Sequence, residues 1–438
     1  MRTGRFGITA SLLLVMGVAL AACAPIAEPT STPTVEPSPT PTEEPTPEPT
    51  PTATAVPTET LTPEATATPS PEPGADWLPA GTVALHAKRV DGELGLYALL
   101  TDGSTADMDR GIQGVATVSN SGRWIAYRPD VEETPGELTI ESLADDTVYT
   151  VSATEGFTIY EWIFGRDEER LAFVEVGPPG EETDWAVVVV SLEDGSTTRF
   201  ATSSVGGPAG GRLPGRPLGW TASGEGLLMD TFVPYTEGAY QGIWKVAIPK
   251  GTPAQDYDEL VRSQLVAADA YQNQPMLSPE GELVAYLSRD QEYEPEDYEP
   301  IAYDMAVNQL WTVDPEDRET SMLVEVTDGG ALGLEIAWSP SGDRVLFAEG
   351  MYAGDRFGSL TLKTVDRTGA EAEVGEVPLP EEGGFSELHW VSPDKALFVV
   401  RAGEALTFEL YEIQIESGET NLVDSAEYLL ILGSVRGE

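Results

Sequence analysis

The sequence predicts an all-β domain built as a seven-bladed β-propeller of four-stranded antiparallel blades, with six blades as the alternative. Three observations predict it. A tight-turn motif recurs at blade-like spacing, short apolar strands flank each copy, and the two ends of the region supply complementary parts of one further unit.

The turn is clearest in WSPSGDRVLF, residues 338–347, and recurs as Ser119-Asn120-Ser121-Gly122 before RWIAY and as Ser278-Pro279-Glu280-Gly281 before ELVAY. Looser copies are FGRDEERLAF, WTASGEGLLM and WVSPDKALFV. Together these give six anchors, near positions 119, 165, 221, 278, 339 and 392. Ser followed by Pro and then Gly suits a type I turn, because the Ser oxygen can accept a local backbone hydrogen bond and Pro already has the required φ. An apolar strand such as LEIAW precedes the turn and one such as RVLFAE follows it. Third strands follow, among them LTIESLADD, WAVVVVSLEDG and ELYEIQIESG. The fourth strands, TTRFATS, SMLVEVT and AEVGEVP, are looser, as an exposed outer edge would be. The one stretch with helical periodicity is YDELVRSQLVAAD, residues 257–269.

The seventh unit is split. TVALHAKRV and LGLYALLTDGST, within residues 82–105, match second and third strands without a preceding turn, and EYLLILGSV, residues 427–435, matches a lone first strand. Joining them closes the ring and removes the open sheet edges.

The W-S-P-x-G turns and the L-Y third strands resemble the WD-like repeats of TolB-type β-propellers, and the resemblance covers about residues 80–438. It implies a propeller of that kind, with a different N-terminal region in front of it.

That region has two parts. Residues 1–22 carry Arg2 and Arg5 and then an apolar run from Ile8 to Leu20, the pattern of an export signal. Leu20-Ala21-Ala22-Cys23 resembles the lipobox of bacterial lipoproteins, which implies lipidation of Cys23, the sole cysteine. Partnering with the membrane through that lipid, and an extracytoplasmic location on a bacterial cell membrane, are the expectation. Residues 23–76 are almost entirely Pro, Thr, Glu, Ser and Ala, with too little to bury for a core. At about 3.1 Å per residue in polyproline II, this stalk would hold the domain of residues 77–438 on the order of 100 Å from the membrane.

The chain holds 24 Lys and Arg against 74 Asp and Glu, a formal charge of -50. Such a surface repels phosphate backbones, so nucleic acid is excluded as a partner. With one Cys and two His, His86 and His389, neither a disulfide nor a multi-histidine metal site can be assembled. No G-x-S-x-G elbow is present, so the chain offers no α/β-hydrolase nucleophile, and catalytic residues are assigned to none. Both His residues read as strand residues.

Chain topology puts the first-to-second and third-to-fourth turns of each blade at one end. The long loops gather at the other, carrying Tyr235, Tyr240, Tyr293, Tyr298, Tyr303, Tyr352, Arg356 and Phe357, a composition suited to recognition. The competing reading is that these rings pack the bases of their own loops. The acidic run of residues 288–300 offers Asp290, Glu292, Glu296 and Asp297 as oxygen ligands for calcium, the one cofactor considered, though without D-x-D-x-D-G spacing. The functional expectation is a monomeric, non-catalytic binding or scaffold module for an envelope protein, peptide or glycan. The alternative is a carbohydrate- or cell-wall-directed lyase or hydrolase using carboxylates at the propeller mouth.

Overall fold

The computed structural model describes residues 77–112, 114–128, 136–177, 185–201, 215–232, 240–248, 262–266, 272–290, 293, 296, 306–354, 356–380, 383–402 and 407–435. All lie in the second of two compact units, Thr68–Glu438. The expected signal, Cys23 and the whole stalk fall outside the described residues.

The described residues form 28 strands in seven four-stranded antiparallel sheets, numbered here as blades 1 to 7. The innermost strands are β28 (Leu429–Ser434), β4 (Val115–Val118), β8 (Thr158–Phe164), β12 (Gly215–Trp220), β16 (Gln272–Leu277), β20 (Ala331–Trp338) and β24 (Gly384–Ser392), for blades 1 to 7 in turn. The six-blade alternative is excluded. Blade 1 is the composite one: β28 pairs with β1 (Thr82–Val90), with Ala84 opposite Ser434 and Lys88 opposite Leu429, and the sheet continues through β2 (Glu93–Leu100) and β3 (Thr105–Gly111). The seam with blade 7 is filled by Ala84, Leu99, Leu397, Val399, Leu410, Leu429 and Ile431. It is clasped by Asp424, which accepts from Lys88 Nζ at 2.7 Å and lies 3.4 Å from the buried His86 Nε2.

The turn chemistry explains why these residues reverse the chain. Gly122, Gly281 and Gly342 each return a backbone hydrogen bond to the Ser three residues earlier, at 2.8 to 2.9 Å. The Ser oxygens of residues 119, 278 and 339 then accept from the N–H of Trp124, Leu283 and Arg344, each at 3.1 Å, which fixes the start of the second strand. Gly342 sits at φ 68°, a left-handed conformation that favours glycine, and the Glu280 carboxylate of the preceding blade lies where a side chain would begin. Within residues 257–269, Arg262–Gln264 is not helical but a short outer strand on β14 (Tyr240–Ala247), where sheet pairing overrides local pattern; residues 257–261 and 267–269 lie outside the described residues.

The core lies between blades. On the inner strands alternate residues, such as Trp162 and Phe164, Ile336 and Trp338, and Leu388 and Trp390, are buried against the neighbouring sheet. Trp338 Nε1 donates to the Met276 carbonyl of blade 5 at 2.9 Å, and the Arg344 guanidinium lies over Trp390 at 5.0 Å. The intervening residues turn to the central channel.

Candidate functional site: the central channel

All seven inner strands line the channel. At its short-turn end it encloses a cavity of about 270 Å³, walled by Thr117, Ile163, Gly219, Met276, Ala337, His389 and Ser434 among others. Six of the seven inner strands contain a register shift, β4 being regular. A bulge inserts an extra residue and re-aims its neighbours. In β8, β20 and β24 the shift falls at or beside a glutamate: Glu161, Glu335 and Glu387. Each stands three residues before the aromatic that closes its strand, Phe164, Trp338 or Trp390, so the three occupy one level of the channel from blades 3, 6 and 7.

Arg216 on β12 joins this level. It opposes Asp230 of β13 (Gly226–Phe232) across the blade 4 ladder, and its Nη2 donates to the fully buried Asp230 Oδ2 at 3.2 Å. Its charge also acts on Glu161 of blade 3 and on Glu335 of blade 6. Blades 4 and 6 are not neighbours, so this last interaction crosses the channel itself. Glu387 reaches the adjacent blade, accepting from the Ile431 N–H at 2.8 Å.

Enclosure dominates the electrostatics, because removing a carboxylate from water favours its neutral form. Burial, opposed by Arg216, pushes Glu335 up to about 7. Burial does the same to Glu387, against the Ile431 hydrogen bond and with added repulsion from Glu335. Asp230 is likewise pushed to about 7 by burial despite Arg216, and Glu161 is raised by burial against Arg216 and Arg128. His389, two residues beyond Glu387 on the same face of β24, is held neutral by burial, its imidazolium pushed down to about 4. Water-sized space reaches its ring in the cavity, which is partly open towards the short turns at Asn120 and Pro279.

The two ends of the channel differ. At the short-turn end neighbouring blades are tied to each other. Ser121 donates its N–H and hydroxyl to Glu168, both at 2.6 Å, the Ala222 N–H bonds to the Gly281 carbonyl at 3.1 Å, and Lys395 Nζ bonds to the Thr101 carbonyl at 2.8 Å. Arg166, which lines the cavity, reaches from blade 3 to the Glu280 carbonyl of blade 5. The other end presents the half-exposed Tyr160, beside Glu161.

The loop residues expected to recognise a ligand are placed differently from one another. Tyr352 is buried and stacks on Phe357 at 4.3 Å, one residue pair from the tip of the hairpin of β21 (Arg344–Ala353) and β22 (Arg356–Asp366). Tyr293 donates its hydroxyl to the Gly330 carbonyl at 3.0 Å. These rings hold loops onto the entry of β20, in line with the packing reading, while Arg356 is exposed at the hairpin tip. Tyr235, Tyr298 and Tyr303 lie outside the described residues, as does the side chain of Tyr240 at the start of β14. Of the calcium candidates, Glu292 and Asp297 lie outside the described residues. Asp290 and Glu296 are on the surface, with the Asp290 N–H donating to Asn308 Oδ1 at 2.9 Å and the Glu296 N–H to the Gly329 carbonyl at 3.0 Å. No three His, Cys, Asp or Glu side chains among the described residues converge as metal ligands. His86 is the strand residue expected, whereas His389 faces the channel.

Sequence reasoning missed the channel glutamates. The signal was present as a Glu in the same place of YEWIF, LEIAW and SELHW, but only the ring arrangement distinguishes these from the other acidic residues.

Fold and channel together define a seven-bladed β-propeller with a carboxyl-lined centre. No family model and no curated protein matches the chain. Among solved structures it is similar to an oligogalacturonate lyase in complex with manganese, with 13% identity and a TM-score of 0.52, covering 80% of this chain and 86% of that one. It is also similar to an oligogalacturonate lyase from Vibrio parahaemolyticus, with 14% identity and a TM-score of 0.51, covering 73% and 83%. At such identity the likeness is one of fold.

Proposed function

We propose that this chain is a lipid-anchored, extracytoplasmic β-propeller that binds a protein, peptide or glycan at the cell envelope, the ligand entering its central channel from the long-loop end. The carrying observation is the asymmetry of the channel: polar groups await a partner along its axis, while the short-turn end is sewn to itself through Ser121, Arg166 and Ala222. The anchor rests on the lipobox-like Leu20–Cys23 and the reach on the Pro-rich tract. The TolB-like turns agree with this assignment. Photo-crosslinking residues placed singly at Tyr160 and at Ser341 in the full chain, in native membranes, test the face. Adducts from position 160 with none from 341 are expected, and the reverse pattern overturns the reading. Radiolabelled palmitate incorporated by the native chain and lost in Cys23→Ser tests the anchor.

A second reading, a carbohydrate-directed lyase or hydrolase, is favoured by Glu335 and Glu387, which near neutral pH are poised to give or take a proton. The fold likeness to oligogalacturonate lyases points the same way. An oligogalacturonate is a chain of carboxylated sugars, however, and a channel level with four carboxyl groups is a poor host for it. Turnover of an uncharged cell-wall fragment by the full chain, with and without divalent cations, and its loss in E335Q/E387Q, would place this reading first.

A further inference from the structure

The geometry points to an organic cation, an ammonium or guanidinium group on an apolar stem, as the ligand of the central channel; this rests on the binding reading above and names its chemistry. Three carboxyl groups, Glu161, Asp230 and Glu335, share the guanidinium of Arg216, with Arg128 acting on Glu161 as well, while Glu387 lies near Glu335 and the Ile431 N–H without a guanidinium beside it. Among the described residues Glu161 and Glu335 accept no hydrogen bond, and Glu387 accepts one. Asp230 is fully buried and joined to the same cluster through Arg216, yet its Oδ1 has no donor among the described residues. A buried acceptor without a donor is costly, and so is a desolvated carboxyl group without a positive partner. A ligand that brings N–H donors and positive charge relieves both, and a guanidinium does so for two carboxyl groups at once.

The space beneath suits the rest of such a ligand. One residue pair further along the inner strands, the cavity wall changes to Ile163, Met276, Ala337 and Leu388, with His389 neutral among them. A stem of a few methylenes fits along these residues, short of the Arg166 guanidinium at the short-turn end of the cavity. The chain's net charge of -50 draws cations towards the mouth and repels anions.

Protonation supplies a signature. Glu335 faces Arg216 and Glu387; Glu387 faces Glu335, Tyr428 and the Ile431 N–H; Glu161 faces Arg216, Arg128 and Tyr160. A cation that pairs with these groups must displace their protons, so its affinity rises as pH passes upward through about 7.

The experiment is calorimetric titration of the full chain with agmatine, with a blocked arginine-containing peptide, and with a galacturonate trimer, at pH 6 and pH 8 in two buffers of different ionisation enthalpy. Agmatine is expected to bind at least about tenfold more tightly at pH 8, with proton release, and E335Q/E387Q to lose about tenfold in affinity along with the proton release. Glu161→Gln alone should give a smaller loss, and its thermal melt together with that of the double variant checks that folding is retained. Glu371→Gln/Glu373→Gln on the outer strand should bind like the native chain. A peptide that matches or exceeds agmatine identifies a peptide side chain as the source of the cation, and agmatine alone a free amine; either supports the assignment. Equal binding by all variants, absence of binding, or tighter binding of the galacturonate trimer overturns it. Should crosslinks from position 160 persist in E335Q/E387Q while agmatine fails to bind, only the cation assignment falls; should those crosslinks be absent from the native chain, the binding reading itself falls.

Discussion

Residues on a single inner strand meet two unlike environments, and the difference separates what holds this ring together from what it is available to do. On β20, Ile336 and Trp338 are buried between blades, whereas Glu335 faces the channel with no hydrogen-bond partner among the described residues; on β24, Leu388 and Trp390 contrast in the same way with Glu387 and His389. The between-blade side is apolar and removed from water: Trp338 donates to a carbonyl, while the rings of Trp162, Trp220 and Trp390 lie against guanidiniums, their N–H groups finding no acceptor among the described residues. The channel side holds desolvated carboxyl groups that destabilise the fold once ionised. Stability and recognition are thus assigned to opposite faces of the same few residues.

The largest effect should come from the between-blade face. Trp338→Ala removes a buried indole and its hydrogen bond and should cost about 3–5 kcal/mol, read as a fall in the chemical denaturation midpoint. If the loss is under about 1 kcal/mol, the seams are not where stability resides.

The channel side should behave oppositely. Glu335 and Glu387 have folded values near 7, above the ordinary 4.5, so the native state holds extra protons between those values and stability falls as pH rises from 4.5 to about 7. His389 works against this trend, since its folded value near 4 lies below 6.5 and its contribution, present above 6.5, is lost as pH falls through 4. With Asp230 added to the two glutamates, the carboxyl groups outnumber it. E335Q/E387Q should therefore stabilise the chain at pH 8 by about 1–2 kcal/mol and flatten the profile, as measured by urea denaturation across pH.

A smaller effect is expected at the ring seam. Burial works to raise the Asp424 carboxyl, but the His86 and Lys88 hydrogen bonds overcome it and hold the group near 2. Its stabilisation is complete above 3.8 and lost as pH falls through 2. Asp424→Asn should cost about 1 kcal/mol at neutral pH and increase hydrogen exchange in β1 and β27 (Thr420–Ala426). Smallest of all, Glu371→Gln on the exposed strand β23 (Glu371–Glu376) should change stability by less than about 0.5 kcal/mol.

The parts of the fold legible in the sequence were those governed by local hydrogen bonding. Ser339, Pro340 and Gly342 announce a turn because each answers a requirement within five residues, and EYLLILGSV announces the closing strand because the first unit lacks one. Residues 257–269 misled for the converse reason: Arg262–Gln264 is held as a strand by its partner β14, outside the local window. The site was less legible still. Tyr293 and Tyr352 match a recognition surface by composition, which does not show that one bonds to Gly330 and the other stacks on Phe357, and Glu161, Glu335 and Glu387 are three among 74 acidic residues until seven strands are arranged about one axis.

The most direct test of that central arrangement is an infrared difference titration of the protonated carboxyl stretch, comparing the full chain with E335Q/E387Q. A band that disappears with a midpoint near 7 is expected in the native chain, reduced in the double variant to the smaller part contributed by Asp230 and Glu161. Loss of the whole band near the ordinary 4.5, or an identical band in both proteins, would contradict a desolvated carboxyl level at the centre of the ring.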